Sequence, residues 1–168
     1  QAKLYDPQGN IVWNGNMQDT FEIPVENTCL WSSEFPNLYQ LELVLYDTNN
    51  EIIETIQEQV GFRKFTLEYG IMKLNGKRIV FHGINRHEWD PKTGRCLSQE
   101  QMEEDIHILK SLNINAIRTS HYPNNSYWYK LCDQYGIYVI DEMNLETHGA
   151  RDILPQNKTE WTDCLLDR

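Results

Sequence analysis

The sequence has few cysteines, and none of them stands in a CxxC pair. The four lie far apart along the chain: Cys29, Cys96, Cys132 and Cys164. Structural zinc sites use closely spaced cysteine and histidine pairs, so this spacing gives no support to a zinc module. It is typical instead of free thiols in a reducing compartment, and we expect the protein to be cytoplasmic.

Long apolar runs and an excess of basic charge are also missing. No stretch approaches the roughly 20 apolar residues that span a bilayer, and residue 1 opens no signal-peptide pattern. The formal net charge is −10, which argues against a nucleic-acid or membrane partner. A glycine-rich phosphate loop and a GxSxG nucleophile elbow are absent, so neither P-loop nor α/β-hydrolase chemistry is indicated.

Up to about residue 62, the sequence contains short alternating segments that are typical of β-strands. Predicted strands cover residues 2–5, 11–13, 21–25, 38–46 and 52–60. The turn-rich stretches DPQGN and DTNN separate two pairs of them. Such a series favours an antiparallel β-sandwich. Because a sandwich usually needs about 100 residues, we expect a partial sandwich whose other strands are missing upstream.

From about residue 77, predicted strands alternate with predicted helices. After a small hairpin at 65–74, strands are predicted at 79–84, 114–117 and 137–140, and helices at 98–112 and 124–135. Ser98 with Gln101 forms a capping-box pattern, Gly136 marks a helix end, and a further helix is expected at 159–166. This order predicts a parallel sheet with right-handed crossovers.

The overall prediction is therefore a multidomain fragment. We assign residues 1–62 to the partial antiparallel sandwich and residues 63–168 to the first β/α units of a TIM (β/α)8 barrel. A complete barrel needs about 250 residues, so only its N-terminal part fits here.

Polar residues collect in the loops that follow the three predicted parallel strands. The first loop carries His87 and Glu88, the second Arg118 and His121, and the third Asp141, Glu142, Glu146 and His148. Because the βα-loops of a barrel open on one face, we predict that they form one site. Nearby aromatic residues favour a neutral, polyhydroxylated substrate: Trp89, Tyr122, Trp128 and Tyr129.

Each of these residues also has a structural explanation. His121 can cap the following helix, and Arg118 can be an ordinary ion-pair partner. Glu146 can be a solvated surface group. A metal role is a further alternative, because Glu146 and His148 are two residues apart and face the same way in an extended chain. Oxygen-rich surroundings favour Mg²⁺ over Zn²⁺, although two ligands do not complete a site.

Four sequence runs resemble the bacterial β-galactosidase branch of glycoside hydrolase family 2. They are HGINRHEWDPKTGR, IRTSHYPN, WYKLCDQYGIYVIDE and NLETHG. The upstream runs LWSSEFPNLYQLELVLYD and VGFR resemble the end of the immunoglobulin-like domain that precedes the barrel in that family. β-Glucuronidases and β-mannosidases of the family differ around NRHE and ETHG, so the galactosidase branch is the best match.

The resemblance implies a role for each candidate residue. Glu146 and His148 match ligands of an active-site Mg²⁺ whose third ligand is the acid/base glutamate. His87 and His121 match histidines that line the galactose pocket, and Arg118 matches an arginine that positions the nucleophile. The residues expected to support them are Asn85, Glu88, Asp141 and Glu142. Neither catalytic glutamate has a matching position, so we expect both beyond Arg168.

The resemblance also implies a β-galactoside substrate, the remainder of a parent enzyme as partner, and a homo-oligomeric parent, with no nucleic acid and no membrane. The chain alone is then expected to be inactive. Two alternatives remain. One is another family 2 glycosidase, such as a β-glucuronidase, and the other is a non-catalytic carbohydrate-binding or structural domain.

Overall fold

The chain forms two compact units, Gln1–Val80 and Phe81–Arg168. The structure, a computed structural model, describes residues 1–17, 22–154 and 156–167. Within these ranges no helix is long and apolar enough to cross a bilayer. All four cysteines are free thiols.

The first unit is built around a four-stranded antiparallel sheet. Its strands are β1 (Ala2–Tyr5), β2 (Ile11–Gly15), β3 (Tyr39–Tyr46) and β4 (Ile52–Val60), in the order β2-β1-β3-β4. Both hairpin turns are closed by an aspartate, as their composition predicts. Asp6 Oδ1 accepts hydrogen bonds from the backbone N–H groups of Gln8 and Asn10. Asp47 Oδ1 accepts them in the same way from the backbone N–H groups of Asn49 and Glu51.

One face of this sheet is apolar, because alternate residues of paired strands share a side. Ala2 lies opposite Leu43 and Leu4 opposite Leu41, and Ala2 and Leu4 are buried together with Trp31. The prediction of a strand at 21–25 is wrong for residues 22–25, which form no strand; Phe21 lies outside the described residues. The immunoglobulin-like character of this unit stays a prediction.

A small antiparallel sheet completes the first unit. It contains β5 (Phe65–Glu68), β6 (Ile71–Leu74) and β7 (Lys77–Arg78). Its two-residue turns at 69–70 and 75–76 have positive φ at both positions, as type I′ turns require. The compact units thus divide after Val80, whereas the sequence division after residue 62 follows the end of β4. The domain assignment stays a prediction.

The second unit contains a three-stranded parallel sheet with a helix in each crossover. The elements are β8 (Gly83–Arg86), α1 (Gln99–Ser111), β9 (Ala116–Thr119), α2 (Ser126–Tyr135) and β10 (Tyr138–Ile140). The strand order is β10-β9-β8, and both pairs are parallel. The predicted order and direction of the three strands are confirmed. Two short 3₁₀ turns (His148–Ala150 and Thr159–Trp161) and α3 (Thr162–Leu166) follow.

The position of the first parallel strand differs from the prediction at 79–84. The apolar run is shared between two sheets, since the Ile79 N–H donates to the Met72 carbonyl and extends the small antiparallel sheet. Parallel pairing starts only at Gly83. A Cβ on Gly83 would lie 3.1 Å from the Cβ of Ala116, so glycine permits the close approach of β8 and β9.

The two helices pack on one side of this sheet and form its core with β9. The predicted capping box is present: Gln101 N donates to Ser98 Oγ at 3.3 Å, and Ser98 N donates to Gln101 Oε1 at 2.8 Å. Buried apolar side chains from both helices meet, namely Met102, Ile106, Leu109, Trp128, Leu131 and Cys132. Leu112, predicted on the same stripe, is 64% exposed because α1 ends before it.

Candidate active site

Three loops at the carboxyl end of the parallel sheet surround a cavity of about 360 Å³, which we call the site cavity. The lining residues are His87, Arg95, His121, Tyr122, Asn144, Leu145, Glu146 and Thr147. The chain leaves β8, β9 and β10 on this side, so the predicted meeting of the three loops takes place within the second unit. Of the predicted residues, His87, His121 and Glu146 line the cavity itself.

Both carboxylate oxygens of Glu142 are bound by neighbouring side chains. Arg118 Nε and Nη2 each lie 2.5 Å from Oε1, and His121 Nδ1 lies 2.9 Å from Oε2. The hydrogen bond from His121, followed by that from Arg118, holds the Glu142 pKa below its ordinary value. The carboxyl group is therefore an ionised acceptor at neutral pH. Arg118 is an ion-pair partner, as the structural alternative allowed, and the carboxylate that it binds also contacts His121, which lines the cavity.

This pairing favours one tautomer of His121. Nδ1 also lies 3.2 Å from Arg118 Nη2, which can only donate, so one nitrogen faces both a donor and an acceptor. The shorter contact with the ionised carboxylate favours a proton on Nδ1. In the neutral ring, Nε2 is then a hydrogen-bond acceptor for a ligand. The alternative that His121 caps the next helix is wrong, because Asn125 is the cap of α2.

His87 lies against His121 edge to face. The ring centroids are 5.6 Å apart with an interplanar angle of 80°, and the Tyr122 ring lies 6.3 Å from that of His87. Two imidazoles and a phenol ring therefore meet on one side of the site cavity. Such a surface combines hydrogen-bonding nitrogens with apolar ring faces, which is the combination that sugar rings contact.

Asp141 does not line the site cavity but binds residues that support it. It accepts hydrogen bonds from the buried Thr119 hydroxyl at 2.9 Å and from the Tyr129 hydroxyl at 2.6 Å. Thr119 Oγ1 in turn accepts the Glu142 N–H at 2.9 Å, which fixes the backbone where Glu142 begins. Burial, together with the bond to Asp141, raises the pKa of Tyr129 to about 12, so this phenol stays a donor.

The sequence analysis missed Arg86, which is buried behind the site. Its guanidinium lies 3.7 Å from the Trp128 ring centroid and donates to Asp105 at 2.9 Å and to Asn124 at 2.8 Å. Strand alternation is the signal that could have found it. Asn85 lies 3.4 Å from Arg118 on the site side, so its neighbour Arg86 must face the helices.

Glu88 supports the same region from the next position along the chain. Both of its carboxylate oxygens lie 3.1 Å from the Asn125 N–H, at the start of α2, and Oε1 lies 3.6 Å from Arg86. A carboxylate at a helix N-terminus is favourable because the first amide groups have no partners within the helix. Glu88 thus fixes α2 and does not line the cavity.

Glu146 and His148 do not form a complete metal site by themselves. Glu146 Oε1 accepts the backbone N–H of His148 at 2.9 Å, and Oε2 lies 3.8 Å from His121 Nδ1. Across the described ranges, no group of three or more His, Cys, Asp or Glu side chains could hold a metal ion. Mg²⁺ requires near-octahedral oxygen coordination, which these two side chains do not supply alone.

The 168-residue chain is accordingly expected to bind Mg²⁺ only weakly, with a Kd on the order of 10⁻³ M, because the described residues offer no third protein ligand beside Glu146 and His148. Titration calorimetry with MgCl₂ measures this directly. Glu146→Gln is the matched variant and should hardly change so weak a titration. A submicromolar Kd that Glu146→Gln abolishes would contradict the prediction.

Comparisons with known proteins identify both parts of the chain. Residues 1–63 match the family described as "Glycosyl hydrolases family 2", and residues 65–165 match "Glycosyl hydrolases family 2, TIM barrel domain". A beta-galactosidase of Halalkalibacterium halodurans is 50% identical over 99% of this chain and 18% of its own length. One from Lactobacillus delbrueckii subsp. bulgaricus is 58% identical over 71% of this chain and 12% of its own length.

Solved structures of two β-glucuronidases have folds similar to that of this chain. A beta-D-glucuronidase of Dictyoglomus thermophilum has a TM-score of 0.79 at 33% identity, covering 88% of this chain and 26% of that one. A β-glucuronidase of Ruminococcus gnavus in complex with D-glucuronic acid has a TM-score of 0.78 at 30% identity, covering 84% of this chain and 24% of that one. The chain spans less than a fifth of the length of the curated relatives named above. By the match of its larger part to the barrel domain and by its identity to these enzymes, the chain belongs to glycosyl hydrolase family 2.

Proposed function

We propose that the chain is part of a retaining β-galactosidase that hydrolyses terminal β-D-galactose from β-galactosides such as lactose. The observation that carries the proposal is the arrangement of His87, His121 and the Arg118–Glu142 pair beside the site cavity. The names and identities of the bacterial relatives support the galactose specificity. The proposal includes an immunoglobulin-like sandwich before the barrel and a cytoplasmic, homo-oligomeric parent.

In this proposal the chain binds and orients the sugar, and the two catalytic glutamates come from the remainder of the parent. His121 accepts a hydrogen bond from a sugar hydroxyl at Nε2 while Glu142 holds its Nδ1 proton. Arg118, fixed by Glu142 and by Asn85 at 3.4 Å, positions the nucleophile of the parent at the carboxyl end of β9. Bonds that strengthen as the sugar flattens toward an oxocarbenium-like state accelerate the reaction.

The proposal includes Mg²⁺ because the resemblance to family 2 β-galactosidases implies an active-site Mg²⁺. Glu146 and His148 would contribute two ligands and the parent's acid/base glutamate a third, and the bound ion would supply local positive charge. Because the described residues do not complete this site, no step of the proposed mechanism depends on the ion.

A β-glucuronidase is the second candidate, since the solved relatives of similar fold include enzymes of that name. The complete protein, assayed with nitrophenyl β-D-galactoside and nitrophenyl β-D-glucuronide, should show a kcat/KM at least ~100-fold higher for the galactoside, because a site built for one set of hydroxyls leaves polar groups unpaired with the other. A preference for the glucuronide would overturn the galactosidase proposal. Binding of galactose without turnover of either substrate would favour a non-catalytic domain.

A further inference from the structure

Arg95 lines the site cavity with His87 and His121 but has no role in the mechanism proposed above. It lies in the loop between β8 and α1, directly after a closed turn. Asp90 and Gly94 exchange two backbone hydrogen bonds of 2.8 Å, and Asp90 Oδ1 accepts the N–H groups of Lys92 and Thr93 at 2.8 and 2.9 Å. The backbone that presents Arg95 to the cavity is therefore well defined.

Among the residues that the structure describes, no carboxylate forms a salt bridge with Arg95. Its guanidinium lies 4.5 Å from the Tyr122 ring centroid. Unlike Arg86 and Arg118, which pair with carboxylates at 2.9 and 2.5 Å, Arg95 forms no salt bridge with any residue in the described part of the chain. A guanidinium stacked on an aromatic ring still has N–H groups at its edge that can donate to a ligand.

The other described residues that line the cavity leave the positive charge of Arg95 available to a ligand. Glu146 is the only carboxylate among the lining residues, and its two oxygens are directed to the His148 N–H and to His121. Glu142 compensates Arg118. An anionic group that enters beside Tyr122 therefore meets an uncompensated planar cation. A carboxylate suits it best, because guanidinium and carboxylate can form two parallel hydrogen bonds.

We propose that Arg95 is a specificity-determining residue that binds a carboxylate of the glycoside in the site cavity. The inference rests on the proposed glycosidase function of this site and adds a preference for substrates with galactose-type hydroxyls that also carry a carboxylate. The carboxylate can belong to the sugar, as in a galacturonide, or to the leaving group. Both sources present the same chemistry to Arg95, so the experiment has to separate them.

The test compares the complete wild-type protein with Arg95→Gln on three substrates. Methylumbelliferyl β-D-galactoside is neutral, carboxyumbelliferyl β-D-galactoside carries the acid in its leaving group, and methylumbelliferyl β-D-galacturonide carries it in the sugar. We expect Arg95→Gln to lower kcat/KM for one acidic substrate by about tenfold or more relative to its effect on the neutral one, mainly through KM. The affected substrate identifies the position of the acid.

Two controls make the result specific to Arg95. Lys92→Gln removes a positive charge from the same loop at a residue that does not line the cavity, and it should leave the acidic-to-neutral ratio unchanged. Raising the salt concentration should reduce the acidic preference of the wild type but not of Arg95→Gln, because screening weakens an exposed charge pair. Equal effects of Arg95→Gln on acidic and neutral substrates, or no effect on either, would overturn the inference.

A failure of the proposed glycosidase function would give a different result. If the wild type turns over none of the three substrates, titration calorimetry with D-galactose, D-galacturonate and the two umbelliferyl β-D-galactosides still measures the preference. The inference then requires that D-galacturonate binds more tightly than D-galactose, or the carboxyumbelliferyl galactoside more tightly than the methylumbelliferyl one, and that Arg95→Gln removes the difference. Equal Kd values within both pairs, in the wild type and in the variant, would overturn it.

Discussion

The isolated 168-residue chain is expected to hydrolyse a chromogenic β-galactoside at least ~10⁴-fold more slowly than the complete protein. Retaining glycosidases need two carboxyl groups that are positioned on either side of the glycosidic bond, and general acid catalysis alone contributes about 10²–10⁴-fold. The proposed function assigns both catalytic glutamates to the remainder of the parent enzyme. Steady-state assays of the purified chain, with circular dichroism to verify that it is folded, measure the difference.

The competing hypothesis is that Glu142 and Glu146 form the required carboxylate pair. Glu142 Oε2 lies 2.9 Å and Glu146 Oε2 lies 3.8 Å from His121 Nδ1, so the two carboxylates are close to each other. The geometry of Glu142 argues against it. A general acid needs a raised pKa, whereas the hydrogen bond from His121 lowers that of Glu142. A nucleophile also needs an oxygen that is free to face the sugar, whereas Arg118 holds Oε1 of Glu142 at 2.5 Å and His121 holds Oε2 at 2.9 Å.

The Glu142→Gln variant of the isolated chain distinguishes the two hypotheses. Glu104→Gln on the exposed face of α1 is the matched control, since it makes the same chemical change outside the site. Robust turnover by the isolated chain that is abolished by Glu142→Gln and retained in Glu104→Gln would show that the chain carries its own catalytic carboxylates. The proposed roles of Glu142 and of the missing glutamates would then be wrong.

Features encoded by neighbouring residues were predictable from the sequence. The capping box of Ser98 and Gln101, the aspartate-closed turns at 6–10 and 47–51, and the helix end at Gly136 depend on hydrogen bonds within a few residues. The parallel order of β8, β9 and β10 followed from the alternation of strands and helices. That order also brought the three loops of the candidate site together.

Features that depend on contacts distant in sequence were missed or misplaced. The run at 79–84 has the composition of one buried strand, but pairing of Ile79 with Met72 and of Gly83 with Ala116 divides it between two sheets. Arg95 gave no signal, because its place in the cavity depends on the turn that Asp90 and Gly94 close. The role of Glu142 as partner of Arg118 and His121 likewise requires the segments that follow β9 and β10 in their final positions.

Replacing His121 with alanine in the complete protein is expected to lower kcat about 10- to 100-fold. When the proton of the ring is on Nδ1, bonded to Glu142 at 2.9 Å, Nε2 can accept a hydrogen bond from a sugar hydroxyl. Loss of a hydrogen bond to a partly charged group costs ~1.5–3 kcal/mol. Because the bond strengthens in the transition state, its loss should lower kcat more than it raises KM.

Two further variants separate the functions of the two ring nitrogens. His121→Asn keeps an amide near the place of Nδ1, so it can still donate to Glu142, but it loses Nε2. His121→Gln reaches toward the place of Nε2 and loses the donor to Glu142. If the sugar contact at Nε2 is the source of the effect, His121→Asn should lower kcat as much as His121→Ala, and His121→Gln should retain more activity.

Thermal unfolding measured beside kcat and KM tests whether His121 is structural. His107→Ala is the matched control, since His107 is an exposed histidine of α1 that packs only edge-on against Tyr135 at 5.2 Å, outside the site cavity. It should leave kcat unchanged. A lower melting temperature of His121→Ala with kcat within twofold of wild type would mean that His121 only holds Glu142 in place. In that case the cavity would have to bind its sugar through His87 and the loop after β10.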